Sequence, residues 1–154
     1  MNEPTRSASE LAQLYRDVIK RHASEPVGYR APIAATHRHE EYNPLCGDRI
    51  EVALLVEHDR VEAAAFDGEA CAICMASASL LCSLAPGVAV SRLESLGKEL
   101  QQALSRKGER PEDRARTDAE LPQELQPLLG VRPYPSRVRC ATLPWTAAMR
   151  ALAE

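Results

Sequence analysis

A chain of 154 residues with 45% hydrophobic and 27% charged residues has the balance of one ordinary globular domain, long enough to bury a core. A net charge of −3 gives no attraction to nucleic acid or to an anionic membrane surface, and no apolar run approaches the roughly 20 residues of a membrane span. The polar, acid-bearing start of the chain, Met1 to Glu10, reads as neither signal nor transit peptide, so a cytoplasmic location is the expectation.

Leu11, Leu14, Val18 and Ile19 recur at three- and four-residue spacing and predict a helix over Ser7–His22, with Ser7 and Glu10 as a capping box. Pro26-Val27-Gly28 interrupts it. Weak alternation of Ile33, Ala35, His37 and His39 predicts a strand from Ile33 to Tyr42. Asn43-Pro44-Leu45-Cys46-Gly47-Asp48 is loop by composition. Ile50, Val52, Leu54 and Val56 then alternate with polar residues as a half-buried strand. His58-Asp59 turns the chain and Arg60–Phe66 returns, so the strands form an antiparallel hairpin.

Asp67-Gly68 is read as a second turn, and a helix of small residues follows it, with Cys71 at its mouth. There the unpaired N–H groups and the positive end of the helix dipole favour a thiolate. Pro86-Gly87 ends this helix. Another starts at Ser91, capped through Glu94, with Leu93, Leu96, Leu100 and Leu104 on one stripe and Gly108 as its C-terminal cap. The charged stretch from Glu109 to Asp118 has no periodicity and reads as an exposed loop. Leu121–Leu129 is expected as a short helix closed by Gly130. Ser136 is expected to cap a last helix holding Cys140, Leu143, Ala147 and Ala151, which Pro144 must kink unless Cys140 lies in a turn ahead of it. The sum is a single domain over residues 1–154 of the α+β class, about three antiparallel strands with helices packed against them.

The five cysteines (46, 71, 74, 82 and 140) are an odd number in a chain large enough to fold without staples, which favours metal or sulfur chemistry over disulfides. Cys46 sits in a turn, Cys71 opens a helix, Cys140 begins the last one, and Asp48 stands two residues after Cys46. Three thiolates and a carboxylate suit tetrahedral zinc, or an iron–sulfur cluster with one exchangeable oxygen ligand. Spacing alone leaves open whether these residues meet.

The surroundings of the three cysteines carry more. Asn43-Pro44-Leu45-Cys46-Gly47-Asp48-Arg49-Ile50, then Gly68-Glu69-Ala70-Cys71-Ala72-Ile73 with Met75–Ser79, then Arg137-Val138-Arg139-Cys140-Ala141-Thr142-Leu143 with Trp145 resemble the signature segments of the U-type iron–sulfur assembly proteins. That family includes NifU N-terminal domains, IscU and SufU, and the resemblance runs from about Leu11 to Leu152. Arg139 stands where the IscU branch has histidine, and residues 107–120 match an insertion of the SufU branch, so the chain looks closest to SufU.

The resemblance implies a SufE/NifU-like fold and a metal site of Cys46, Asp48, Cys71 and Cys140. It implies zinc there and sulfur accepted from a SufS-like cysteine desulfurase, or alternatively a [2Fe–2S] cluster assembled on the same ligands and passed to downstream scaffolds or apo-proteins. Cys46, on its loop, is the first choice for carrying persulfide and Cys140 the second. Arg137 matches an arginine of the SufU motif that steadies the site or receives the desulfurase.

Cys74 departs from the family, which usually has serine there. It is either a buried small residue or a spare ligand or resolving thiol, and the first reading is preferred. Cys82 is read as packing, His37 and His39 as a solvated strand face, His22 and His58 as exposed, and Trp145 as core.

Overall fold

The computed structural model describes residues 7–105 and 110–154; the Met1–Arg6 start and the expected Gly108 cap lie outside them. Helix α1 covers Ala8–Ser24, and the Ser7 hydroxyl caps it by accepting the Glu10 N–H. Strands β1 (His37–Asn43), β2 (Asp48–Glu57) and β3 (Arg60–Glu69) form an antiparallel sheet in that order. His58 and Asp59, both at positive φ, make the β2–β3 turn, the backbone that matches the twist of a hairpin.

The first strand is shorter than the alternation from Ile33 suggests. Before it, Phe66 N–H donates to the Gly28 carbonyl and Arg30 N–H to the Phe66 carbonyl, pairing the chain with β3. Only at Thr36, whose N–H reaches the Leu54 carbonyl, does it join β2. The residues between carry the chain from one edge of the sheet to the other and cannot pair as a strand.

Gly68 is also not a turn. It lies inside β3 opposite Ile50 at φ +147°, where a Cβ would stand 2.0 Å from the Arg49 carbonyl oxygen. Glycine is required there because two backbones approach closely.

Helix α2, Ala72–Leu84, is almost wholly buried between α1, α5 and the sheet. Its small residues permit that. Ser77 and Ser79 enter the core with their hydroxyls engaged: Ser77 Oγ donates to the Ala141 carbonyl (2.5 Å) and accepts from Trp145 Nε1 (3.1 Å). Ser79 Oγ accepts the Val27 N–H (2.8 Å) and bonds His22 Nδ1 (2.7 Å). His22 is therefore half-buried rather than exposed, and burial, with Arg21 beside it, lowers its pKa from the ordinary 6.5.

Helix α3, Val90–Ser105, buries the expected leucines 93, 96, 100 and 104. It starts one residue ahead of the expected Ser91 cap, because β3 and the Asp59 carbonyl hold Ala89 and Val90 in place. The charged stretch is helical where a loop was expected. Helix α4, Pro111–Glu120, begins on a proline, has Glu112 and Asp113 in its first turn, and buries no residue.

The short helix expected from Leu121 is a 3-10 turn over Gln126–Val131 that takes in Gly130 instead of stopping there. Helix α5, Pro135–Ala153, starts at Pro135, which displaces the cap expected at Ser136, and runs through Pro144. Trp145, fully buried, and the Ser77 bonds hold that irregular turn against α2.

Candidate metal centre

Four pieces of backbone meet at one end of the sheet. The β1–β2 turn is held by Asn43, whose side chain accepts the Leu45 N–H and whose carbonyl accepts the N–H groups of Cys46 and Gly47. Gly47 completes it at φ +71°. This Asx turn presents Cys46 to solvent and returns the chain as β2, whose first residue, Asp48, is only 3% exposed. Cys71 is the N-cap of α2, exposed, with its sulfur accepting the Cys74 N–H at 3.5 Å. Cys140 lies in the second turn of α5, buried, so the alternative of a turn ahead of the helix is not taken.

Asp48 ties these pieces together. One carboxylate oxygen accepts the Cys71 N–H at 2.9 Å, and the other accepts the Cys140 thiol at 3.2 Å. Donor atoms of Cys46, Asp48 and Cys140 lie within 4.8 Å of one another. Ligands of a tetrahedral zinc stand roughly 3.5–3.8 Å apart, so a small contraction fits the three to one ion.

Cys71 is not among those three mutually close donors; it is tied to the group through its N–H, which the Asp48 carboxylate accepts. Burial, together with the nearby Cys71 and the hydrogen bond to Asp48, pushes the Cys140 thiol well above its usual pKa. A cation among these donors would reverse that balance, because it stabilises the thiolate.

The chain of 154 residues matches the NifU-like N-terminal domain over residues 14–151. It belongs to that family. Over 146 residues it is 32% identical to the zinc-dependent sulfurtransferase SufU of Bacillus subtilis (strain 168), an alignment spanning 95% of this chain and 94% of that one. It is 28% identical over 144 residues to the iron–sulfur cluster assembly scaffold protein IscU of Streptococcus pyogenes serotype M1, covering 94% and 86%. A crystal structure of a SUF-system assembly scaffold protein from Fervidobacterium islandicum AW-1 superposes with a TM-score of 0.73 at 22% identity over 91% of this chain and 97% of the other, which shows the shared fold.

The family's α+β arrangement agrees with the expected class, a three-stranded antiparallel sheet covered by helices. No helix among the described residues is long and apolar enough to cross a membrane.

Other expected residues fall elsewhere. Arg137 stacks on the Tyr134 ring, 4.8 Å from its centre, while Arg139 lines a hollow of about 230 Å³ with Leu45, Cys46 and Pro135. His39 lies between Glu154 and Glu41, at 2.9 and 3.0 Å, away from the thiols. Cys82 is buried against Gly28, where burial pushes its thiol up to about 12. Sequence reasoning missed the apolar rim: Leu45, next to Cys46 in the turn, is 75% exposed. A leucine inside an Asn-Pro…Gly-Asp turn was the available signal, since such a turn needs no apolar residue.

Proposed function

We propose that this protein accepts sulfur from a cysteine desulfurase for iron–sulfur cluster assembly, at a zinc site made by Cys46, Asp48, Cys71 and Cys140. The observation that carries the reading is the convergence of Cys46, Asp48 and Cys140 donor atoms within 4.8 Å, with the Cys71 N–H bonded to Asp48. The zinc-dependent sulfurtransferase among the relatives supports the choice of ion and reaction. Bound zinc holds thiols deprotonated at neutral pH and shields them from oxidation.

The chain's own residues divide the work by mobility. Cys46 is exposed on a turn and can swing outward at little cost, whereas Cys71 is fixed by a helix and Cys140 is buried. Its thiolate attacks the outer sulfur of the desulfurase persulfide; that S–S bond breaks, the desulfurase cysteine leaves as thiolate, and Cys46 carries the persulfide. Cys140 is the second choice. Leu45 and Arg139, which share a hollow with Cys46, offer the partner apolar and cationic footing, and Arg137 on the same helix as Arg139 adds a second cation. The fold, with its own hydrophobic core, argues against a purely structural zinc.

The test combines metal analysis of protein purified without added metal with trapping and sequencing of the persulfide after reaction with desulfurase and cysteine. One zinc per chain and sulfur on Cys46 are expected; sulfur on Cys82 alone would overturn the assignment.

A second reading, a scaffold that assembles and releases a [2Fe–2S] cluster on the same ligands, is favoured by the IscU relative and by Asp48, since a carboxylate holds iron less tightly than thiolate does. It predicts visible absorbance after reconstitution and little tight zinc as isolated.

A further inference from the structure

Cys74 adjoins the candidate centre and has no place in its ligand set. It is 0% exposed, one turn inside α2, while Cys71 is exposed at the N-cap. The Cys71 sulfur accepts the Cys74 N–H at 3.5 Å, so the Cys71 side chain folds back over the first turn, onto the residue that bears the second thiol. Residues three apart on a helix have Cβ atoms about 5–6 Å apart, against about 3.5–4.5 Å in a disulfide. The N-cap is the member of the pair outside the regular helix, with an extended backbone at φ −66° and ψ 166°, so it can make up the difference by local rotation. An exposed first sulfur, a buried second one, two residues between them and a helix N-terminus behind both are the parts of a dithiol exchange site.

We propose that Cys71 and Cys74 form a dithiol–disulfide couple at the mouth of α2, whose oxidation by a low-molecular-weight disulfide withdraws Cys71 from metal binding. The Cys71 thiolate attacks one sulfur of the oxidant RSSR, giving a mixed disulfide and one thiolate RS⁻. Cys74 then gives up its proton and attacks the Cys71 sulfur, expelling the second RS⁻. Two protein thiols become one disulfide, and one RSSR becomes two RSH. Cys140 belongs to another helix and its thiol is engaged by Asp48. The couple stands on the geometry of α2; its consequence for metal rests on the ligand set proposed above.

The experiment treats the full-length, metal-free protein with oxidised glutathione and maps the thiols by differential alkylation and fragmentation mass spectrometry. Alkylatable cysteines are expected to fall from five to three, with Cys71 and Cys74 joined. Cys74→Ser is expected to stop at one glutathione on Cys71, an adduct that wild type does not accumulate; Cys74→Ala serves if the serine variant fails to fold. A stable Cys71 adduct in wild type, or pairing of Cys71 with Cys46 or Cys140, would overturn the couple. Zinc content is read in parallel. Oxidised wild type is expected to bind none and to recover binding on reduction. Formation of the 71–74 disulfide in a protein that never binds zinc would leave the couple standing and sink the metal reading. Loss of zinc binding on oxidation without that disulfide would sink the couple.

Discussion

Cys140 and Cys46 bring their sulfurs within 4.8 Å of each other from unlike ground. Cys140 sits on a floor where α5 meets α2, backed by Trp145, Ser77 and the Ala141 carbonyl, with each polar group engaged. Cys46 sits on a lip, a turn whose residues 44–47 are all exposed and which is held by the carbonyl and side chain of Asn43. In the proposed zinc site, a ligand on the floor would fix where the ion lies, and a ligand on the lip could leave and return. One site thus combines accuracy and mobility by drawing on two kinds of backbone.

Mutations should separate the two regions. On the floor, Trp145→Ala removes a fully buried indole and is expected to cost about 3–5 kcal/mol, seen as a large fall in the urea midpoint. Ser77→Ala leaves the Trp145 N–H and the Ala141 carbonyl without their partner in the core and should cost about 1–3 kcal/mol by the same measurement. Gly68→Ala forces a methyl group against the Arg49 carbonyl and should cost at least about 1–3 kcal/mol, whereas Gly47→Ala, with open space around it, meets only the penalty of its positive φ. On the lip, Cys46→Ser should leave stability within about 0.5 kcal/mol and still abolish persulfide capture. A Cys46→Ser protein that melted like Trp145→Ala would erase the distinction.

Smaller still is a pH effect through His22. Its folded pKa lies below the unfolded value of 6.5, so the unfolded chain binds the proton more readily. Its contribution is intact above about 6.5 and is lost as pH falls through the lowered folded value. His22→Gln should flatten the decline in urea midpoint over that acidic range, relative to wild type, without touching metal content.

Much of this contrast was legible in the chain itself. Alternation placed β2 and β3, the leucine stripe placed α3, and the small residues after Cys71 announced a helix pressed into the core. The misreadings have physical causes. The ten residues of α4 bury nothing, so no apolar period marks the helix. Asp-Gly at 67–68 has the composition of a turn, and only the neighbouring strand shows that its glycine makes room for a carbonyl.

His22 looks like a helix-end residue until Ser79, 57 positions away, is found beside it. Within the site, spacing named Cys46, Asp48, Cys71 and Cys140 as candidates but carried no distances. Asp48 as the junction of three chain segments emerges only when its two oxygens are seen to point at Cys71 and Cys140.

Zinc-edge X-ray absorption on the full-length protein, purified without added metal, tests the convergence most directly. The account predicts one bound zinc surrounded by three sulfurs at about 2.3 Å and one oxygen at about 2.0–2.2 Å. A shell of four sulfurs, or scattering from an imidazole ring, would contradict it.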